Sequence, residues 1–373
     1  MSELKLTEPK SPAHSSNLPL ASIIITSYNY EKFLPRAIDS ALQQTYPVKE
    51  IIVVDDGSTD NSRHIINSYG DQIMPVCQEN GGEISATNAG FLASRGEIIF
   101  FLDADDIFFP HKVETMVNYF LQVIPQNSAV LISHCLEMTN KEGIILFYRP
   151  SSLRTLNGHK KNSLFEKLTD PEVVYRYVQK WGFLRYVASP TSGLSLTRSL
   201  ASKIFPLPEE MKRHQDTVLV YASMLLGTVY GTSQVLGSYV LQGDNVSLNS
   251  TGFQGRDDRI QIMENFLNDI LQKMNKPRII SYYDSPDAMD YYRYCGSTKG
   301  LLKLTYKIPA RCFCRETIKF SIKTLWLCLK IVLGIKKGPR LTKKAKLFAK
   351  AKKKQTKQHS QRQSSVSKSA LRD

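Results

Sequence analysis

Two apolar runs of this sequence each end abruptly in aspartates. IIVVDDGSTD occupies 51–60 and IIFFLDADDIFFP occupies 98–110. Ionised carboxylates repel one another and are costly beside apolar surface, so each cluster needs a cation or hydrogen-bond donors to meet it. The D-x-D spacing of Asp103 and Asp105, with Asp106 following, puts two carboxylates on the same side of an extended stretch. There they can hold one hard divalent cation, or one cation and a sugar hydroxyl, and such a cation in turn holds phosphate oxygens. Asp55 and Asp56 can accept from a nucleobase N–H and from ribose hydroxyls. Asp and Gly also favour tight turns, which is the plainer reading of either stretch alone. Two such clusters, each closing a strand of one sheet, favour the ligand reading.

The elements that would position these acids alternate regularly. Residues 21–26, 50–55, 73–78 and 97–102 read as short, mostly apolar strands of the buried parallel type. Between them, 31–43 carries Leu34, Ala37, Ile38, Ala41 and Leu42 at helical spacing, and STDNSRHIINSY begins like a capped helix. Residues 85–94 read as a helix closed by Gly96, and 111–124 as another. This alternation predicts a Rossmann-like α/β half with a parallel sheet, whose ligands lie outside the carboxyl ends of the strands. Beyond residue 128 the pattern loosens. Residues 129–138 read as a strand, 140–185 as a mixed insertion, 216–227 as a helix, 227–242 as a pair of strands and 256–305 as mostly helical.

SIIITSYNYEKFLPRAIDSALQQTYPVKEIIVVDDGSTDNS, followed by ENGGEISATNAGFLASRGEIIFFLDADDIFFP, resembles the opening of the family-2 glycosyltransferases of GT-A fold. The resemblance spans residues 20–250 and is strongest over 20–115. It implies a GT-A Rossmann-like mixed sheet flanked by helices, and an enzyme that takes a sugar from a nucleotide-diphospho-sugar, by family habit a UDP-linked one. It further implies nucleoside contacts from Thr26, Tyr28 and Asp56, with Asp56 on the base, and places Asn80 and Asp103 beside the nucleotide sugar. Asp103 and Asp105 form the D-x-D pair, Asp105 as the direct ligand of Mg²⁺ or Mn²⁺. Glu31 either lines the nucleotide pocket or caps the 31–43 helix. SPTSGLSLTRSLASKIFPLPEEMKRHQDTVLVYASMLLG (189–227) resembles the acceptor side, with Ser192 and Gly193 in its Ser-Gly turn and Asp216 at the position of the general base. An inverting transfer needs one carboxylate opposite the leaving diphosphate to deprotonate the acceptor hydroxyl, although an Asp at a helix start also serves as an N-cap.

The chain departs from the family pattern in places. Thr87 stands where many relatives carry Arg, and in YVLQGDN (239–245) Val240 and Gln242 replace an Arg and a His. A cationic partner for the diphosphate is then either missing or supplied from elsewhere, with Arg198 and Arg213 as candidates. The QxxRW signature of processive synthases is absent, which implies one sugar per encounter. A nucleotidyltransferase shares the sheet and the paired acids, but would carry a glycine-rich basic loop where this chain has TSYNYEKF. A catalytically silent nucleotide-binding scaffold with a membrane- or nucleic-acid-binding tail is the alternative to an enzyme.

Composition separates two parts. Apolar residues make up 42% and charged residues 22%, the balance of a globular protein with a core. Residues 303–373 hold 21 Lys and Arg against two acids, whereas 1–302 hold 28 against 32, so the +15 net charge belongs to the tail. Six cysteines show no CxxC pair, the pattern of reduced thiols. The N-terminus has no apolar h-region, so a secretory signal is not expected. The expected organisation is a flexible leader (1–18), a GT-A domain (19–255) with nucleotide-binding (19–125) and acceptor (126–255) halves, a helical extension (256–305), an amphipathic helix (306–335) and a basic disordered tail (336–373). Within 316–335, Ile318, Ile322, Leu325, Leu329 and Val332 form one stripe beside Trp326, and the uninterrupted apolar part is far short of the roughly 20 residues a span needs. This is the profile of a helix lying in a membrane interface. Residues 336–357 add 11 Lys and Arg and no acid, each cation worth about 1 kcal/mol near an anionic leaflet. A core helix with a solvated tail and, least favoured, a nucleic-acid tail compete with this reading. Since many relatives act on lipid-linked or envelope glycans, the reading adopted is a cytoplasmic enzyme, peripheral at the inner face of the cell membrane, with a glycan or lipid-linked acceptor.

Overall fold

The computed structural model of the chain describes residues 18–140, 145–149, 164–182, 184, 190–241 and 256–281. The leader up to residue 17, much of the 140–185 insertion, Gln242, and the amphipathic helix and basic tail expected beyond 306 lie outside the described residues. So do the expected helices beyond 281.

Among the described residues, ten strands join in one mixed sheet: β1 (Ala21–Ser27), β2 (Lys49–Asp56), β3 (Met74–Gln78), β4 (Ile98–Asp103), β5 (Ile107–Phe108), β6 (Val130–Asn140), β7 (Ile145–Arg149), β8 (Phe165–Thr169), β9 (Leu194–Thr197) and β10 (Thr228–Leu241). Their order is β3-β2-β1-β4-β9-β6-β10-β5, with β7 on β6 and β8 on β10. The first four strands run parallel, as their apolar runs predict. β9 runs antiparallel to both β4 and β6. Because β2 and β3 lie on one side of β1 and β4 on the other, the winding reverses between β1 and β4. Open α/β sheets bind their ligands at such a switch point.

The helices are α1 (Leu34–Leu42), α2 (Ser62–Ser68), α3 (Glu83–Ala93), α4 (Lys112–Val123), α5 (Pro171–Trp181), α6 (Arg198–Ile204), α7 (Gln215–Leu226) and α8 (Arg256–Lys273). Ile23, Ile25, Val53, Phe100 and Leu102 of the sheet pack in one cluster with Leu34 and Ile38 of α1 and with Met116 and Phe120 of α4. Each such fully buried side chain contributes about 1.5–3 kcal/mol. α3 lies close on the sheet at Gly90, where an added Cβ would sit 2.4 Å from Ile24 Cγ2 and 3.1 Å from Val54 Cγ2.

Three local expectations need correction. α1 begins at Leu34, not at 31, because the Tyr30 carbonyl closes a turn by accepting from the N–H groups of Phe33 and Leu34, with Pro35 in the first helical turn. α3 ends at Ala93 with Ser94 as its cap, so Gly96 does not close it; Gly96 N–H donates to Ser22 Oγ at 2.7 Å. Residues 228–241 form one strand rather than two, with register shifts between Gly231 and Ser238 instead of a hairpin turn. No helix among the described residues is long and apolar enough to cross a membrane.

Candidate active site

The carboxyl ends of β1, β2 and β4 lie side by side, with Thr26 paired to Val54 on one flank and to Asp103 on the other. At the end of β2 the protein meets both acids itself. Asp55 is fully buried and accepts from Ser58 N–H at 3.1 Å and from Arg63 Nε and Nη2, each at 3.1 Å. Asp56 accepts from Gln78 Nε2 at 2.7 Å and from the N–H groups of Gly81 and Gly82 at 2.8 and 2.9 Å. It thereby ties β2 to the 79–82 loop. Gly57, with φ of 75°, permits that approach, since a Cβ there would lie 2.7 Å from Asn80 N. Asn80 and Tyr28 are exposed at the rim, while Thr26 is half-buried. Glu31 does not cap α1, whose N-cap position is Phe33. Instead Glu31 accepts from Asn61 N–H, and its own N–H donates to Asp60, both at 3.0 Å, lacing the loop after β1 to the loop after β2.

The turn after β4 carries charge in excess. Asp103 N–H donates to Ser192 Oγ at 3.0 Å, and Asp106 Oδ1 accepts from Val240 N–H at 3.1 Å. Asp106 Oδ2 is buried with no hydrogen-bond partner. Burial pushes both carboxyls well above the usual range; Asp106, Glu83, Asp105 and Asp216 add to the effect at Asp103, and Asp105 adds to it at Asp106. One cation lies beneath them. Lys112, the first residue of α4, is fully buried, with Nζ 2.7 Å from the Ser192 carbonyl oxygen and 3.1 Å from the centroid of the Phe108 ring. Burial pushes its ammonium well down, and Asp106 and Asp103 oppose that. Tyr30 belongs to the same group: burial, then Asp105, Asp103 and Asp106, raise its phenol. Ser192 and Gly193, expected on the acceptor side, lie buried in the 3-10 turn just before β9.

The third wall is the start of α7. Gln215 is buried, with Nε2 3.3 Å from Asp103 Oδ1 and 3.4 Å from Thr191 Oγ1, while its Oε1 accepts from the Thr87 hydroxyl. Thr87 is thus linked through Gln215 to Asp103. Asp216 is not the N-cap of α7: His214 holds that position, and Asp216 sits in the first turn with Oδ1 accepting from Thr217 N–H at 2.7 Å. Glu83 is the first residue of α3, within electrostatic reach of Asp216. Burial, then Asp216, push its carboxyl up to about 7, against the pull of Arg213. Arg213 thus lies within electrostatic reach of Glu83. Arg198 instead donates to the Gly96 carbonyl and to Ser94 Oγ, at the amino end of β4.

Thr26, Asp56 and Asp103 lie at the neighbouring carboxyl ends of β1, β2 and β4, and Asp105 and Asp216 lie within electrostatic reach of Asp103. Glu83, Gln215, Lys112 and Tyr30 join them without having been singled out from sequence. Among the described residues, no three His, Cys, Asp or Glu side chains enclose a metal ion. The surplus of hard oxygen donors and the orphaned Asp106 Oδ2 nonetheless fit Mg²⁺ or Mn²⁺, which take one or two carboxylates and complete their shell with ligand oxygens.

The chain is similar to known proteins. The model of glycosyl transferase family 2 matches residues 22–188. An uncharacterized glycosyltransferase of Nostoc sp. is 32% identical over 263 residues, covering 68% of this chain and 76% of the relative. The hyaluronan synthase of Pasteurella multocida is 27% identical over 294 residues, 76% of this chain but 26% of that one. The crystal structure of S. aureus TarS 1–349 in complex with UDP-GlcNAc superposes with a TM-score of 0.51 at 16% identity, over 84% of this chain and 92% of that one, which speaks for the fold. The protein is thus an enzyme of GT-A fold, a glycosyltransferase. The chain belongs to glycosyl transferase family 2.

Proposed function

We propose that the protein is an inverting, metal-dependent, non-processive transferase that moves a sugar from a UDP-linked donor to a hydroxyl of a glycan or lipid-linked acceptor, in the synthesis of envelope or extracellular polysaccharide. The observation that carries this reading is the convergence of Asp103 and Asp105 with Asp216 at the switch point between β1 and β4. The nucleoside lies along Thr26, Tyr28 and the loop that Asp56 holds. Asp103 and Asp105 would hold Mg²⁺ or Mn²⁺, which when bound neutralises the diphosphate leaving group. Arg213, beside Glu83, offers further positive charge. Asp216 takes the proton of the acceptor hydroxyl as its oxygen bonds to the anomeric carbon and the bond from that carbon to the diphosphate oxygen breaks on the opposite face. The UDP-GlcNAc complex of TarS supports a UDP-sugar, and the hyaluronan synthase supports a glycan acceptor. The test is whether UDP binds only in the presence of Mn²⁺ or Mg²⁺.

The 11 cations at 336–357, next to the apolar stripe of 316–335, support a peripheral position on an anionic membrane. The full chain is expected to sediment with vesicles containing phosphatidylglycerol and to release in about 0.5 M salt, where surface charges are screened. Equal sedimentation with neutral vesicles would contradict an electrostatic anchor.

A further inference from the structure

Asp103, the last residue of β4, is held from two sides by neutral groups. Its N–H donates to Ser192 Oγ at 3.0 Å, and its Oδ1 accepts from Gln215 Nε2 at 3.3 Å. Ser192 is itself fixed, because its carbonyl accepts from the buried Lys112 at 2.7 Å. Gln215 opens α7 and is 1% exposed, so its amide has to find its partners inside the protein. Nε2 also reaches Thr191 Oγ1 at 3.4 Å, and Oε1 meets the Thr87 hydroxyl of α3. The two ends of the amide are not interchangeable. An ionised carboxylate only accepts, so the NH₂ end faces Asp103 and the oxygen is left for Thr87.

The chain enters α7 under constraint. Lys212 and His214 hold φ of 62° and 69°, left-handed values uncommon outside glycine, and His214 makes no side-chain cap. Such backbone persists where its surroundings over-determine it. Gln215 supplies that restraint through three elements at once: β4, the turn before β9 and α3. Lys212 adds a second tie, with Nζ 2.9 Å from the Gly81 carbonyl. A carboxylate that ligates a metal is itself oriented by hydrogen bonds from outside the ligand shell. We propose that Gln215 is the positioning residue of the metal site, its amide engaging Oδ1 of Asp103 and so orienting the carboxylate that, with Asp105, would hold Mg²⁺ or Mn²⁺. This rests on the reading of Asp103 and Asp105 as the metal pair.

The experiment titrates the full chain with Mn²⁺ in the presence of UDP. Bound metal is read from the loss of the free Mn²⁺ EPR signal against a UDP-only control, with melting temperature alongside. Gln215→Met, close in length but without the amide, is expected to bind Mn²⁺ about 10- to 100-fold more weakly, the usual cost of losing such an outer partner. The Mn²⁺ activation curve for UDP release from UDP-GlcNAc is expected to shift to higher metal by the same factor. A merely structural role would lower the plateau of that curve and leave its midpoint in place. Mn²⁺ affinity within about threefold of the parent, or an unshifted midpoint, would overturn the proposal. If Gln215→Met does not fold, Thr87→Val decides, since it takes the donor from Oε1 and leaves Nε2 intact. Mn²⁺ binding at least about threefold weaker there supports positioning, and a smaller change overturns it. Asp103→Ala in the same titration separates the two levels. Parental Mn²⁺ binding there, or none in the parent, removes the metal reading and this one with it. Loss there with unchanged binding in Gln215→Met removes only the role of Gln215.

Discussion

Asp216→Asn is expected to slow sugar transfer by about three orders of magnitude, the upper part of the range for a lost general base, while UDP affinity in Mn²⁺ stays within about threefold. The substitution is close to isosteric, and the Asn Oδ1 can still accept from Thr217 N–H, as Asp216 does at 2.7 Å. The first turn of α7 should therefore persist, with Gln215 still reaching Asp103. What the amide lacks is basicity: it cannot take the proton of the acceptor hydroxyl. β1, β2 and the loop at Asp56, where the nucleotide is proposed to bind, are untouched. Steady-state UDP release and a UDP titration on one preparation read the two effects separately. Parental turnover would remove Asp216 from the chemistry, and a parallel fall in UDP affinity would place it on the donor instead.

Lys112→Met is expected to destabilise the fold by about 1–3 kcal/mol, the cost of leaving the buried Ser192 carbonyl without its donor. Met nearly matches the apolar length of Lys, so packing against Phe108 and Phe100 is largely kept. The loss is electrostatic. The Ser192 carbonyl loses its donor at 2.7 Å, and the buried carboxyls of Asp106 and Asp103 lose the cation beneath them. Urea unfolding of the two forms measures the difference through the midpoint at constant slope. Adding Asp106→Asn to Lys112→Met is expected to recover part of the loss, because the carboxylate left uncompensated is then gone. A Lys112→Met midpoint equal to the parent's would show that the acid turn needs no counter-charge from the core.

The parallel half of the sheet was legible because strands buried on both faces spell uninterrupted apolar runs, and β1, β2 and β4 fall within a residue or two of the expected spans. β8 and β9 were not. They are five and four residues long, and β9 buries Ser195 and Thr197 where an apolar run would be looked for. β10 misled because its two glycines read as turn signals, yet serve a strand with shifted register. Lys112 left a trace: it shares a helical stripe with Met116, Tyr119, Phe120 and Val123, all buried, and a lysine at such a position asks for a buried partner. Glu83 and Gln215 left none. Thr87 and Gln215 are 128 residues apart in sequence, and only the folded chain brings α3 against α7. Asp55 and Asp56 carry a related lesson, since the protein itself matches both acids at the end of β2, Asp55 with Arg63 and Asp56 with Gln78 and the backbone of Gly81 and Gly82.

The most direct test of metal-dependent nucleotide-sugar transfer is calorimetric titration of the full chain with UDP, GDP and dTDP, each with and without Mn²⁺. UDP is expected to bind with saturable heat only when Mn²⁺ is present, and Asp105→Ala is expected to abolish that binding. Binding of no nucleotide under any condition, or UDP binding that persists without metal and survives Asp105→Ala, would contradict it.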